Sequence, residues 1–256
     1  MILKIVKHVL LDILRSRIVL AYTVFLAAAS IGLFNMDADT GKSLASILSM
    51  VLMLVPLTSL IFATIHYYNS YEFIELLSTQ PLRRGTILLG EYLGVSLALG
   101  LALLAGVGLP VAAYDSSLTG GCILLAGLLL TFSFTALAFL GAVCSRDKAR
   151  GMGMAMLQWF FFALLYDGLL LLVLFTFQDY PLEKAVIALV ALNPIDLART
   201  FVMLQMDVSA LMGMTGAVMQ EFLGSRLGMT FTLGVLTLWI AAPLGLALRV
   251  FRKKDL

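Results

Sequence analysis

The chain of 256 residues is 61% hydrophobic and only 12% charged, against about half and a quarter in an ordinary water-soluble domain. That balance excludes a soluble enzyme or a nucleic-acid-binding module and puts most of the chain in a bilayer. The formal net charge of +2 says little about partners, because in such a chain the placement of Lys and Arg matters more than their sum.

A hydrocarbon core roughly 30 Å thick takes about 20 apolar residues per helix, so this length predicts about six spans and no sizeable soluble domain. We expect an all-α polytopic membrane protein made of one domain over residues 1–256. Residues 1–17 place Ile2, Ile5, Val6, Val9, Leu10 and Ile13 at helical spacing, with Lys4, Lys7, Asp12, Arg15 and Arg17 between them, which predicts an amphipathic helix lying in the membrane interface. The first span covers about 18–34; no small-x-small cleavage pattern follows it, so it is expected to stay uncleaved. A polar turn at 35–42 leads to a second span at about 43–68. The third covers about 85–113, the fourth about 122–144 and the fifth about 152–177. A longer mixed region, 178–226, precedes a sixth span at about 227–249 and a short basic tail. Cys122 and Cys144 sit at opposite ends of the fourth span and cannot meet within one helix.

Orientation follows from the basic residues beside each span end. One side receives the Lys and Arg of 1–17, Arg83 and Arg84, Arg146, Lys148 and Arg150, and Arg249 to Lys254; the other receives Lys42, Lys184, Arg199 and Arg226. Thirteen of the 17 basic residues thus fall on one side, which predicts that both termini and the stretch 71–84 are cytoplasmic and that 178–226 is an extracytoplasmic helical region.

That stretch interrupts two oily runs with Glu72, Glu75, Pro81, Arg83 and Arg84. Backbone leaving the bilayer must satisfy its polar groups in water or in protein, and 71–84 can do so as a short surface helix. Ile74 and Leu77 would share one face, Glu72, Glu75 and Gln80 would face outward, Pro81 would end it, and Arg83 and Arg84 would anchor at the head groups. The alternative is an ordinary solvated loop. The order of residues resembles the signature of type-2 ABC exporter permeases, Glu-Leu-Leu-x-x-x-Pro-(hydrophobic)-x-Arg-x-x-(hydrophobic)-x-x-Gly-(Lys or Glu), with Glu75, Leu76, Leu77, Pro81, Leu82, Arg84, Ile87, Gly90 and Glu91 in its places. It departs just upstream, where the family often has an acidic and basic run with a Gly and this chain has HYYNSYEF.

The resemblance implies that 71–84 is a coupling helix, with Glu72, Glu75, Leu77, Pro81, Arg83 and Arg84 at the contact with an ATPase. It further implies a homodimer in the cell inner membrane with two cytoplasmic ABC ATPase subunits; ATP and Mg would bind there, and no cofactor to this chain. Within the family, ALNPIDLARTFVML (191–204) is similar to the permeases of nitrous oxide reductase maturation, which implies a periplasmic accessory protein and a part in copper-site assembly. A different type-2 exporter moving a drug, lipid or peptide, or a polytopic membrane enzyme, are the alternatives.

The remaining motifs are weaker. Gly41, Lys42 and Ser43 spell the end of a phosphate-binding loop, but Met36 replaces its first glycine and no strand precedes it, so ATP hydrolysis must reside elsewhere. His66, at the inner end of the second span, and Asp167, near the middle of the fifth, are the only residues of catalytic flavour in or near a span; without a cluster or paired motif around them no catalytic residue is assigned. Asp167 either bonds a neighbouring helix or lines a pathway, since a lone charge near the bilayer centre costs about 3 kcal/mol or more. Gly90 with Gly94, and Gly224 with Gly228, have the four-residue spacing of close helix packing. The methionines at 152, 154 and 156 and at 203–219 read as packing rather than a copper site, and no metal ligands are assigned. In the outer region Asn193 should cap a helix begun by Pro194, and Asp196 and Arg199 should pair on one face of it. These four residues would form either a gate closing the outer mouth or a docking point for the accessory protein.

Overall fold

The computed structural model describes residues 2–36, 39–78, 83–115, 117–145, 147–177, 183–206 and 226–253. Among these residues, six helices are long and apolar enough to cross a membrane: Arg17–Met36, Thr40–Asn69, Arg84–Tyr114, Leu118–Cys144, Lys148–Thr176 and Gly228–Lys253. Each coincides with the corresponding stretch inferred from the sequence to within a few residues at either end. Gly41 to Ser43 form the first turn of the second span, where Asp39 accepts from the Gly41 amide at 2.9 Å. This is a helix cap and not a phosphate cradle.

The fourth span is the axis of the bundle. Two-thirds of its most apolar window, 67%, is buried, and the second, third and sixth spans pack along it. None of the corresponding window of the fifth span is buried, so that helix lies on the periphery. Aromatic contacts fasten the bundle at two levels. At one end Phe139 receives Tyr67 and Tyr92 edge-on, with centroids at 5.8 and 6.0 Å. Half-way along, Phe162 meets Phe134 at 6.0 Å and Trp239 at 5.5 Å, tying the fourth, fifth and sixth spans.

The N-terminal helix, Ile2–Leu14, buries Ile5, Val9 and Ile13 and leaves Leu3, Lys4, Lys7 and His8 outward. Its buried row drops into the glycines of the third span: a Cβ on Gly90 would lie 2.8 Å from Ile5 Cγ2, and one on Gly94 would lie 2.5 Å from Val9 Cγ1. The spacing of Gly90 and Gly94 therefore serves this short helix and not a second span. At the same end, Arg252 of the last turn lies over Gly85, and His8 and Phe73 rings are 5.9 Å apart. Both chain ends thus gather around the connection between the second and third spans.

The third and fifth spans each contain a π-helical turn, at Leu104–Gly108 and Phe161–Leu165. Such a turn inserts a residue, widens the helix and redirects carbonyls. In the third span it brings Gly106 against Leu26 of the first span, 2.7 Å from a would-be Cβ.

Residues 178–182 and 207–225 fall outside the described part, but the rest of the mixed region folds as two helices, Glu183–Ala191 and Pro194–Met203. They form a hairpin that re-enters the bundle. The Asn193 amide donates to Phe162 O at 2.9 Å and Trp239 Nε1 donates to Ala191 O at 3.0 Å. Phe162 is the fifteenth of the 29 residues of Lys148–Thr176, and Trp239 the fourteenth of the 28 of Arg226–Lys253. The turn of the hairpin therefore lies at half depth. Its returning helix climbs back to the end of the bundle where the fourth span begins, where the Thr119 hydroxyl meets Gln205 O at 3.5 Å. The hairpin reaches this depth because the π turn of the fifth span offers the Phe162 carbonyl to Asn193.

Candidate coupling surface and intramembrane polar cluster

Two polar constructions stand out from the apolar bundle. The first surrounds the link between the second and third spans. Ser70 ends the second span by donating its backbone N–H to His66 O, and the chain turns at once into the helix Tyr71–Ser78. Ile74 is fully buried, Leu77 is half-buried against the core, and Glu72, Phe73, Glu75 and Leu76 are exposed. Its apolar face divides, with one row holding the helix to the bundle and Phe73, against the His8 ring, and Leu76 exposed beside two carboxylates. Pro81 lies outside the described residues. Arg83 is exposed at the start of the third span and Arg84 is half-buried in its first turn.

Beneath this helix the spans are pinned by a contact between a histidine and a glutamate. His66 Nε2 lies 3.0 Å from Glu91 Oε2, and the Ser70 hydroxyl is 3.3 Å from the same nitrogen. Glu91 is 1% exposed, and its Oε1 is buried with no hydrogen-bond donor among the described residues. Sequence inspection singled out His66 and placed Glu91 only as the end of a motif. A separation of 25 residues carries no periodic signal for this contact.

The second construction occupies the half-depth turn of the hairpin. Asn193 caps the returning helix by accepting from Ile195 N at 3.0 Å, and Pro194 opens it. The same Asn193 amide donates to Asp196 Oδ2 at 2.8 Å. Arg199 Nη1 donates to Asp167 Oδ2 of the fifth span at 3.1 Å and lies 3.4 Å from Asp196 Oδ1. That second contact is a charge contact without hydrogen-bond geometry, since Asp196 Oδ1 is buried with no donor among the described residues. Burial, and then the neighbouring Asp167 carboxylate, raise the Asp196 carboxyl to about 7, against the smaller opposing pulls of Arg199 and Asn193. Asp167 and the four residues at 193–199, inferred separately from sequence, thus form one cluster. Asn193, Pro194 and Asp196 are buried against the chain's own spans, and Asp167 and Arg199 are each about one-third exposed. Phe201 and Val202 are also inside, because the hairpin is tucked into the bundle. A cavity of about 240 Å³ beside Arg199 is lined by Ser49, Met53 and Trp159 among others.

Comparison with known proteins places this architecture. Residues 73–256 match the family model for ABC-2 family transporter proteins. The chain belongs to the ABC-2 transporter family. Over 273 aligned positions covering 98% of both chains, it is 31% identical to the probable ABC transporter permease protein NosY of Pseudomonas aeruginosa. It is 29% identical over the same length to the protein of that name in Stutzerimonas stutzeri, covering 98% of this chain and 97% of the relative. The ABC-2 match begins within the helix Tyr71–Ser78 and continues to the last residue, so the hairpin cluster and Glu91 fall inside the matched segment while His66, Ser70 and Glu72 precede it. As an ABC-2 permease the chain is a multi-pass transport subunit rather than an enzyme.

Proposed function

We propose that two copies of this permease form the membrane part of an ABC transporter in the cell inner membrane. A pair of cytoplasmic ATPase subunits, which bind ATP and Mg, would drive it through the helix Tyr71–Ser78 and its basic exit at Arg83 and Arg84. The observation that carries this reading is the divided face of that helix, sealed to the bundle by Ile74 while Glu72, Phe73, Glu75 and Leu76 are exposed. A short helix that offers apolar and acidic groups together suits a groove on a soluble partner. The basic residues flanking the same end favour its cytoplasmic placement.

The relatives named NosY, and the resemblance of 191–204 to permeases of nitrous oxide reductase maturation, support a finer reading. The complex would serve copper-site assembly in that enzyme together with a periplasmic accessory protein. Burial of Asn193, Pro194 and Asp196 favours a gate at the hairpin over a docking point, since side chains sealed inside the bundle offer no surface to a soluble protein.

The reading is tested by reversing exposed charge. Glu72→Lys with Glu75→Lys should leave insertion intact and weaken capture of the ATPase by about tenfold or more, because like charges then meet in the groove. Co-purification and ATP-driven turnover of the reconstituted complex measure it. Unchanged capture and turnover would remove these residues from the contact.

A further inference from the structure

The cluster at the hairpin's turn holds two acids against one base. Asp167 and Asp196 both face Arg199, at 3.1 and 3.4 Å from its Nη1. Among the described residues, the elements packed around the cluster bring no other charge to it. The fourth span has no acid or base between its terminal cysteine Cys144 and Cys122, and the charged side chains of the second and sixth spans lie within a few residues of their ends. Lys148 and Arg150 lie at the far end of the fifth span, and the Tyr166 hydroxyl is committed to Leu189 O at 2.6 Å. With both carboxyls ionised, one negative charge would stand unbalanced at half depth, which a low-dielectric surrounding strongly disfavours. Asp196 is 7% exposed, its Oδ2 is taken by Asn193 and its Oδ1 is sealed without a donor. No hydrated cation fits against such an oxygen, whereas a proton does.

We propose that this cluster is a proton-binding site, with one exchangeable proton held on Asp196 beside the Asp167–Arg199 pair, and that its release loosens the re-entrant hairpin. On release the O–H bond of Asp196 breaks, the carboxylate keeps the electron pair and the proton leaves to water through the cavity beside Arg199. The cluster then carries a net negative charge that favours movement of the returning helix toward water. Two carboxyls sharing one proton titrate as a pair, so the transition belongs to the cluster. The inference does not depend on how the ATPase docks.

Infrared difference spectroscopy of the full complex in lipid nanodiscs, titrated with pH, tests it. The wild type should show one protonated carboxyl C=O stretch that disappears as pH rises through neutrality, and ATP-driven turnover should follow the same midpoint. Asp196→Asn, which keeps the acceptor for Asn193, should abolish both the band and that pH dependence. Asp167→Asn should lower the midpoint by about one to three pH units, since one acid then faces one arginine. If Asp196→Asn fails to assemble, the shift in Asp167→Asn decides alone. A band that survives Asp196→Asn, a midpoint unmoved by Asp167→Asn, or one that tracks sodium concentration would overturn the proposal. The infrared signal is read without ATP, so its loss is distinguishable from a failure of ATPase coupling.

Discussion

The Cβ that an alanine at position 94 would carry falls 2.5 Å from Val9 Cγ1 and 2.6 Å from Val9 Cβ, inside any real carbon contact. Gly94→Ala should therefore push the N-terminal helix off the third span, at a cost of about 1–3 kcal/mol for overpacking. Adding Val9→Ala should recover only part of that, because it removes Cγ1 and leaves Val9 Cβ at 2.6 Å. Gly153→Ala, with nothing within 4 Å of its Cβ, serves as the neutral reference. Thermal unfolding in detergent measures all three, and an equal response at positions 94 and 153 would show that the short helix is not seated as described. The four-residue spacing of Gly90 and Gly94 was legible in the sequence as a packing device. Its partner was not, because glycine periodicity marks a smooth face without saying which helix lies on it.

The second and third spans form a unit with the helix Tyr71–Ser78 hung from its end, and the His66–Glu91 contact is the clasp across it. Removing one member of a buried polar pair strands the other, at about 1–3 kcal/mol and more where the stranded group keeps a charge. His66→Ala should accordingly destabilise the protein more than Glu91→Gln, which leaves an amide and no charge. Glu91→Leu in the His66→Ala background should restore much of the loss. Equal losses for His66→Ala and Glu91→Gln, read from unfolding curves, would show that the pair carries no charge. Caps and turns were readable here: Asn193 and Pro194 behave as a cap and first turn because their geometry is local. The clasp and the π turn at Phe161–Leu165 were not, since each depends on which faces of distant helices meet.

The assembled molecule is a bundle asymmetric end to end, with both chain ends and the helix Tyr71–Ser78 at one end and a re-entrant hairpin descending from the other. The number and order of spans were plain from hydropathy, because each apolar run exceeds the length a bilayer needs. The hairpin was legible only as a segment too short to cross. The depth of its turn is set by hydrogen bonds to Phe162 and from Trp239, and no single-helix pattern encodes those. This asymmetry divides the labour: ATP-driven force would arrive at the divided face of Tyr71–Ser78 and emerge as movement of the hairpin half a membrane away. The most direct test is a photo-crosslinking residue placed at Leu76, which is 60% exposed, with Leu118 at the opposite end as the control. In intact cells Leu76 should trap the ATPase subunit and Leu118 should not. An ATPase adduct from Leu118, or none from Leu76 in a complex that co-purifies intact, would contradict the account.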